Sequence, residues 1–472
     1  MSVAEQRRPA YYIWTVGCQM NKADSERIQN YLEHAGCAEA SDARSADVVI
    51  LNTCAVRQSA EERTEGQLGQ LAGLKKRQPN LAVAMTGCMV VPDAAAMQRR
   101  YPMVDMFFSS LAPERLQPLL DRPLDQAVPP SFPPVPIEMG PESLPVGPSS
   151  LQERRRKEVA RFIPIIYGCD EHCTYCIVPS RRGGERSRPV AEIVDHVEEV
   201  VAEGAKEVTL LGQIVDSYGH DLPERSDLAA LLERLNDVQG LERIRFLTSH
   251  PRYIDERLIV AMRDVPKVCE YMHLPVQHGD DAMLRRMGRP YKVADYERLI
   301  DRIRATLPGC SVSTDVIVGF CGETDEQFQH TLDLLARVRY DVVHVAAYSP
   351  RPGTAAGEHF VDDVPALTKK ERLWAVERQQ EQIGQEINQQ LLGTIQEVLV
   401  EGPDKDGSLR WKGRTRTNKL AFFAVTDPSV QSGLDYTGRT LPVMVTRAGA
   451  HALQGRCPEG AHPATAERSS DA

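Results

Sequence analysis

The sequence predicts an α/β protein in three parts: an N-terminal parallel α/β domain, a central partial (βα)6 barrel and a small C-terminal β-barrel. Residues 11–85 and 162–348 alternate short apolar runs with helical stretches, a pattern that favours parallel sheets. Roughly the last 60 residues instead hold short strand candidates broken by Gly, Pro and Asp, as in small barrels. The chain has 472 residues, which is too long for one ordinary domain.

The N-terminal domain is predicted to span residues 1–120. Its strand candidates are Tyr11–Val16, Val48–Asn52 and Leu81–Met85. A first helix is predicted from an N-cap at Ser25 to a stop at Gly36, and a second ends near Pro79. Residues 121–155 are rich in proline and are predicted to form an extended linker, because proline removes the donors of a sheet ladder.

The central domain is predicted over residues 156–385. Helical stretches such as Val190–Glu203 separate six strand candidates, which are Phe162–Tyr167, Val208–Gly212, Ile244–Ser249, Tyr271–Val276, Val312–Val318 and Val342–Tyr348. Six βα units indicate an open version of the eight-fold barrel, whose active site lies at the carboxyl ends of the strands. A connecting helix over 366–392, a β-barrel at 386–450 and a tail at 451–472 complete the prediction.

Composition limits the location and the partners of the chain. No apolar run of about 18 residues and no secretory leader are present, so we expect a cytoplasmic protein. The net charge of −10 argues against a uniformly basic nucleic-acid binder, but it leaves room for local basic patches. In the reducing cytoplasm, eleven cysteines indicate metal or redox chemistry before disulfides.

Three cysteines form a C-x3-C-x2-C run directly after a predicted strand. Cys169, Cys173 and Cys176 could ligate three irons of a cubane cluster and leave the fourth iron without a protein ligand. An open iron suits a cluster that binds a substrate, whereas an electron carrier normally has four cysteines. A structural zinc site with His172 or a distant fourth ligand is the alternative, although the spacing departs from paired C-x2-C motifs.

A second set of cysteines is spread along the N-terminal domain. Cys18, Cys54 and Cys88 each follow a predicted strand, one βα repeat apart. Because the carboxyl ends of parallel strands share one edge of a sheet, the three thiols are predicted to converge there. Three unrelated buried cysteines are the alternative.

These motifs resemble the radical S-adenosylmethionine (SAM) superfamily and, within it, the methylthiotransferases. The resemblance covers roughly residues 11–450 and also includes Asn52-Thr53-Cys54, Thr86-Gly87-Cys88, the run 319–324 and the run 348–354. It implies that the central domain is a radical-SAM barrel and the last one a TRAM-like barrel. Ser180-Arg181, Ile214, Asp216, His278 and Cys321 stand where that family more often has other residues.

The methylthiotransferases have three branches, which differ in substrate. One modifies dimethylallyl adenosine next to the tRNA anticodon, a second modifies threonylcarbamoyl adenosine there, and a third modifies an aspartate of a ribosomal protein. The runs 248–251, 273–277 and 413–419 resemble the first branch.

The resemblance implies an enzyme with two 4Fe-4S clusters, on Cys169/Cys173/Cys176 and on Cys18/Cys54/Cys88. It also implies two SAM molecules per turnover, one as radical source and one as methyl donor, with C–H activation at adenine carbon 2. The chemistry is borne by the cofactors, so no catalytic side chain is assigned. The expected partners are the tRNA anticodon stem-loop, a one-electron reductant such as a flavodoxin or ferredoxin, and a sulfur source, and the chain is expected to act as a monomer.

Two further groups of residues are predicted to contact ligands. By resemblance and by their position after barrel strands, the SAM-binding candidates are Gly212, Gln213, Gln277, Asp315, Val318 and Gly319. Packing and turn-capping roles are the alternative for each. The RNA-binding candidates are five basic residues within ten, with no acid among them: Arg410, Lys412, Arg414, Arg416 and Lys419.

A basic run after the cysteine loop, which includes Arg181 and Arg182, is a second candidate patch for RNA. The rival to an enzyme is an iron–sulfur redox-sensing RNA-binding module. Sensing alone does not require a six-unit βα domain.

Overall fold

The computed structural model describes residues 8–56, 58–91, 93–126, 128, 158–404, 410–425 and 435–458, in two compact units. The first unit contains the described residues up to 128 together with 167–172 and 176–186; the second contains 158–166, 173–175 and the described residues from 187 onward. Most of the predicted linker and residues 459–472 of the predicted tail lie outside the described residues. Within those residues, no helix combines the length and the apolar character needed to cross a membrane.

The first unit is built on one parallel sheet of five strands, in the order β2-β1-β3-β4-β5. The strands are β1 Ala10–Thr15, β2 Ala38–Glu39, β3 Val48–Thr53, β4 Ala82–Gly87 and β5 Met106–Phe107. The helices are α1 Gln19–His34, α2 Gln58–Arg77, α3 Ala94–Arg100 and α4 Gln117–Leu120, with a 3-10 turn at Pro113–Leu116. β3 and most of β4 are buried apolar runs because helices cover both faces of the sheet.

The start of α1 differs from the prediction. The helix begins at Gln19 with Cys18 as its N-cap, so Ser25 lies inside it. The hydroxyl of Ser25 instead shares a hydrogen bond of 2.7 Å with Thr15 and accepts one of 2.9 Å from the Asn52 amide. These partners on neighbouring strands satisfy the side chain that was predicted to cap the helix.

The six predicted barrel strands are all present. They are β6 Ala160–Pro164, β9 Glu207–Leu211, β10 Arg243–Phe246, β11 Tyr271–His273, β12 Ser311–Val318 and β13 Val342–Ala347. They form two parallel three-stranded sheets, β10-β9-β6 and β11-β12-β13, joined by a parallel bridge between Ile244 and Val268. Two short strands, β7 Ile166–Tyr167 and β8 Arg186–Ser187, flank the cysteine loop in the sequence. The α/β class and the open six-stranded barrel are therefore confirmed.

Helices separate these strands and enclose a large apolar core. They are α5 Val178–Arg182, α6 Val190–Ala202, α7 Leu228–Asn236, α8 Glu256–Asp264, α9 Asp281–Arg286, α10 Val293–Thr306, α11 Asp325–Val338, α12 Ala355–His359 and α13 Ala366–Gln389, with a 3-10 turn at Val215–Ser217. The connecting helix α13 runs past the domain boundary predicted at residue 385.

The C-terminal part is a closed five-stranded barrel in the order β14-β15-β16-β18-β17. Its strands are β14 Ile395–Pro403, β15 Arg410–Thr415, β16 Leu420–Ala424, β17 Thr440–Ala448 and β18 Ala452–Arg456. The last strand lies beyond the boundary predicted at 450, so part of the predicted tail belongs to the barrel. It closes the barrel by pairing with both β16 and β17.

The small barrel contacts the amino ends of the large barrel's strands through charged groups. The Arg416 guanidinium, just after β15, lies 2.8 Å from the carboxylate of Glu270, which precedes β11. Lys419 lies 2.5 Å from the carboxylate of Asp341, which precedes β13. Arg245 of β10 donates to the carbonyl oxygens of Thr415 and Arg416 at 2.7 and 2.6 Å. The turn between β15 and β16 is therefore anchored at the end of the barrel opposite its mouth.

Candidate functional site

Three cysteines of the first unit follow three neighbouring strands of its sheet. Cys18, Cys54 and Cys88 stand after β1, β3 and β4, which pair in that order. The Cys88 backbone N–H donates to Thr53 oxygen at 2.9 Å, so the ladder continues to the cysteine itself. The predicted convergence at one edge of the sheet is present.

Asn21 ties together the turns that carry Cys18 and Cys54. Its buried Nδ2 donates to the carbonyl oxygens of Val16 and Thr53, at 3.3 and 2.8 Å, and to Asn52 Oδ1 at 3.1 Å. Its Oδ1 accepts from the Cys18 thiol at 3.4 Å. One side chain therefore bridges the ends of β1 and β3 and also orients Cys18.

Two glycines allow the turns to approach one another. A Cβ on Gly17, whose φ is +136°, would lie 2.7 Å from the Cβ of Cys54. A Cβ on Gly87, whose φ is +92°, would lie 2.2 Å from Thr53 oxygen. Neither position accepts a side chain, because both the backbone angle and the space exclude it.

A buried ion pair lies beside these thiols. Arg182 of α5 and Asp24 of α1 are both buried, and their charged groups are 2.9 Å apart. Burial lowers the pKa of the Arg182 guanidinium, but Asp24 and the thiols of Cys88 and Cys18 raise it more, so the net shift is upward and the group stays charged. A cavity of about 30 Å³ adjoins it, lined by residues that include Gly87, Cys88, Ser110 and Arg182.

The donor set fits an iron–sulfur cluster better than a zinc ion. Desolvation raises the pKa of the Cys18 thiol, and Arg182 opposes that rise by favouring the thiolate. Among the described residues, Cys18, Cys54 and Cys88 do not form a group with all three sulfurs within 4.8 Å of one another. Tetrahedral zinc needs thiolates about 3.8 Å apart, whereas the ligands of a cubane bind different irons and stand farther apart.

The C-x3-C-x2-C loop begins at a glycine that no other residue could replace. Gly168 has φ +74°, and a Cβ there would lie 2.0 Å from Gly184 oxygen. The Cys169 backbone N–H donates to Gly183 oxygen at 3.0 Å. The first cysteine of the loop is therefore held by main-chain contacts.

The middle cysteine is held in the second unit by Arg289. The Arg289 guanidinium, which is buried, donates to Cys173 Sγ at 3.4 Å and to the hydroxyl of Tyr291 at 3.1 Å. The next residue, Thr174, donates from its backbone to Met287 oxygen at 2.9 Å. A positive charge thus lies beside a cysteine sulfur at this site as well.

At the mouth of the large barrel, Gly212 and Gln213 follow β9 as predicted. A Cβ on Gly212 would lie 2.4 Å from a methyl carbon of Ile166, so glycine is required there for packing. This is the structural alternative to a close approach by a cofactor. The neighbouring Thr248 has φ +67° and donates its hydroxyl to Gly212 oxygen at 2.9 Å. Such strain in a non-glycine residue concentrates at functional sites.

Gln277 and Asp315 are brought together, as predicted. The Gln277 backbone, with φ +70°, donates to Asp315 oxygen at 2.9 Å. The Asp315 carboxylate lies 3.4 Å from Nε2 of His273, whose Nδ1 is 2.9 Å from the hydroxyl of Ser313. These polar groups form the inner surface of the barrel.

Val318 ends β12, and Gly319 follows it. Alternation along β12 places the fully buried Val318 side chain in the apolar core, on the opposite face from Asp315. Gly319 has φ +68°, and a Cβ there would lie 2.3 Å from the Lys369 side chain. Packing explains both residues.

The five basic candidates for RNA contact separate into two groups. Arg416 and Lys419 lie beyond β15 and are engaged by Glu270 and Asp341. Within β15, Arg414 lies 3.1 Å from Glu401 and Arg410 lies 3.6 Å from Asp404, both on partly exposed faces. Lys412 and Arg414 share one face of the strand, but Arg416 does not continue it, because β15 ends at Thr415.

Three residues that shape the two sites, Asn21, Asp24 and Arg289, are not identified from the sequence. Arg182 is predicted there to belong to a surface patch, whereas the structure buries it. Asn21 lies three residues after Cys18, on the buried side of α1. A polar residue so close to a candidate ligand is a signal that the sequence does offer. The partners of Asp24 and Arg289 are distant in the sequence, so their roles required the fold.

Two family models match this chain. One, described as "Uncharacterized protein family UPF0004", matches residues 10–109, and the other, "Radical SAM superfamily", matches residues 163–335. The chain is 46% identical over 456 residues to the tRNA-2-methylthio-N(6)-dimethylallyladenosine synthase of Roseiflexus sp. (strain RS-1), covering 96% of this chain and 90% of that protein. The enzyme of the same name from Chloroflexus aurantiacus is 44% identical over 453 residues, covering 95% of this chain and 91% of that protein.

Solved structures support the fold. The radical S-adenosylmethionine methyltransferase TsrM from Kitasatospora setae, with cobalamin and a [4Fe-4S] cluster bound, matches with a TM-score of 0.54 at 15% identity. The match covers 83% of this chain and 81% of that one. At this identity the likeness concerns the fold alone.

Proposed function

The chain belongs to the family of tRNA-2-methylthio-N(6)-dimethylallyladenosine synthases, and we propose that it methylthiolates N(6)-dimethylallyladenosine next to the tRNA anticodon with two 4Fe-4S clusters. As a radical SAM transferase it uses SAM and an iron–sulfur cluster. The observation that carries the two-cluster proposal is the pair of three-cysteine sites, each with a buried arginine beside a sulfur.

Six cysteines would hold the two clusters. Cys169, Cys173 and Cys176 would hold the cluster that binds SAM, and Cys18, Cys54 and Cys88 the other. When bound, the clusters and SAM would together supply a SAM-derived radical able to remove hydrogen from adenine carbon 2, a sulfur atom, and a methyl group from a second SAM. Thiolates are the required form of all six ligands.

The protein's own side chains position the cluster ligands and the polar groups of SAM. Arg289 donates to the sulfur of Cys173 and so helps to fix the orientation of that ligand. Asp315 and Gln277, fixed to each other through the backbone, offer an acceptor and an amide at the barrel mouth for the polar groups of SAM. Gln213, which follows β9, is proposed as a further polar contact for SAM, while Gly212 is required for packing against Ile166.

RNA contact is proposed for the outer face of β15. Lys412 and Arg414 are partly exposed and point from one face of the strand, and Arg410 lies at its start. Phosphate contacts of this kind orient an RNA without reading its sequence. The target base must leave its stack to reach the barrel mouth, as in other enzymes that modify bases.

Iron content tests the two-cluster proposal. After anaerobic reconstitution, the full chain is expected to hold about eight irons, and alanine replacement of either cysteine triad is expected to leave about four. Zinc, or one cluster only, would contradict it. Addition of dithionite and SAM is expected to yield 5′-deoxyadenosine, which a redox-sensing RNA-binding module would not produce.

The substrate is tested in cells. Nucleoside analysis of tRNA from a deletion strain is expected to show loss of the methylthio group on dimethylallyl adenosine only. Restoration by the wild-type gene, but not by a variant with Cys173→Ala, is the matched control. Loss on threonylcarbamoyl adenosine, or on a ribosomal-protein aspartate, would overturn the substrate assignment.

A further inference from the structure

The two cysteine sites are linked by a very short stretch of chain. Cys176 is the last cysteine of the C-x3-C-x2-C run, and α5, Val178–Arg182, follows almost at once. Ile177, at the start of this stretch, packs in the apolar core of the first unit with Leu51 and Cys88. Arg182, at the end of the helix, therefore reaches the Cys18/Cys54/Cys88 site from the segment that carries Cys176.

Arg182 is held by a buried acid that has a second basic partner. Asp24 is fully buried; one of its carboxylate oxygens lies 2.9 Å from Arg182 and the other 3.5 Å from Arg27. The Arg182 side chain is 9% exposed. Because water is excluded here, an unpaired charge on either residue would be strongly destabilising, so the two charges are held together. In a low-dielectric environment their electrostatic effect on neighbouring groups is strong.

The geometry points to Arg182 and Asp24 as a pair of positioning residues that set the reduction potential of whatever cluster Cys18, Cys54 and Cys88 hold. This inference rests on the proposed function, because it requires that those cysteines bind a cluster. A cluster gains negative charge on reduction, so nearby positive charge raises its potential and nearby negative charge lowers it. Arg182 and Asp24 act in opposite directions, and the native potential reflects their balance.

Because Arg182 and Asp24 carry opposite charges, removing one or the other is expected to shift the reduction potential in opposite directions. Removing the charge of Arg182 by Arg182→Gln leaves the buried Asp24 carboxylate without its principal partner, and the potential is expected to fall. Asp24→Asn leaves the guanidinium uncompensated, and the potential is expected to rise. Arg182→Lys keeps the charge, and the double variant removes both charges, so both are expected to stay close to the parent.

The measurement uses the full-length chain in which Cys169, Cys173 and Cys176 are alanine, so that one cluster remains. Potentiometric titration followed by electron paramagnetic resonance gives the ratio of reduced to oxidised cluster. We expect that ratio, at the parent's midpoint, to change at least tenfold in opposite directions for Arg182→Gln and Asp24→Asn, which is about 59 mV for one electron. Arg100→Gln, an exposed arginine of the same unit, is the matched control and is expected to change nothing.

Failure of this inference is separable from failure of the proposed function. If the parent with three alanines binds no cluster, the proposed function is wrong. If it binds one and the two charge variants shift together, or both stay within twofold, the inference is overturned. If Arg182→Gln cannot be loaded with iron, Asp24→Asn and Arg182→Lys decide: the first must raise the potential while the second preserves it.

Discussion

Replacement of Asn21 by alanine tests how the first cysteine site is built. The Asn21 side chain is fully buried, and its amide serves two main-chain carbonyls and the oxygen of Asn52. Each buried acceptor that loses its donor costs about 1–3 kcal/mol, and the amide has two hydrogens, so Asn21→Ala is expected to cost about 2–6 kcal/mol. The loss falls on the first unit, where Cys18 also loses its partner.

The chain offers a local reporter for this measurement. Of its three tryptophans, Trp14 belongs to the first unit and Trp374 and Trp411 to the second. In a background with both of the latter replaced by phenylalanine, urea unfolding followed by Trp14 fluorescence reports the first unit, which matters because a chain of several domains does not unfold in one step. For a slope of about 2 kcal/mol per molar urea, the midpoint is expected to fall by about 1–3 M.

Asn30→Ala is the matched control. It makes the same exchange at a half-buried position of the same helix. There the free energy of unfolding is expected to change by less than about 0.5 kcal/mol. If Asn21→Ala leaves the midpoint and the iron content of the Cys18/Cys54/Cys88 site unchanged, the view that one amide organises this site is refuted.

Three further predictions concern the second unit. Arg289→Gln is expected to lower the yield of 5′-deoxyadenosine by about 10–100-fold, as the loss of groups around metal ligands does, with unchanged yield contradicting its role beside Cys173. Burial lowers the pKa of His250 to about 3, below its unfolded value, so stability is complete above about pH 6.5 and declines as the pH falls from there. Between pH 6.5 and 5 the loss is about 2 kcal/mol, measured by urea unfolding, and His250→Gln is expected to abolish it. Finally, Lys412→Ala is expected to reduce the salt dependence of tRNA affinity by about one phosphate contact. Arg416→Ala is expected to leave that dependence unchanged and to cost about 1 kcal/mol of stability, because its pair with Glu270 is partly exposed. Equal effects of the two variants on the salt dependence would contradict the separation of their roles.

The cysteine sites were predictable because their geometry follows from periodic structure. One βα repeat separates each of Cys18, Cys54 and Cys88 from the next, and a parallel sheet places the ends of successive strands at one edge. The six strands of the large barrel were predictable for the same reason, since each is an apolar run between helical stretches. Their boundaries shifted by a few residues, as with the break at Ile165 between β6 and β7.

What could not be predicted depends on partners that are distant in the sequence. Arg182 meets Asp24 across 158 positions, so a basic run that suggested RNA contact contributes a buried charge instead. The stretch from Arg410 to Lys419 contains no acid, but Glu270 reaches Arg416 from 146 positions away. Val318 shows a different limit, because alternation along β12 decides which face a residue takes only once its register is known.

The anchored turn between β15 and β16 has a consequence for how a long substrate would be measured. Because charged contacts at Glu270 and Asp341 fasten the small barrel to the amino ends of the large barrel's strands, the distance from Lys412 to the mouth of the large barrel is a fixed length of protein. If the proposed contact at Lys412 holds, a tRNA bound at one end of that length would present a defined nucleotide at the other. The second unit would thus select its target base by the distance of that base from the RNA contact, before any contact with the base itself.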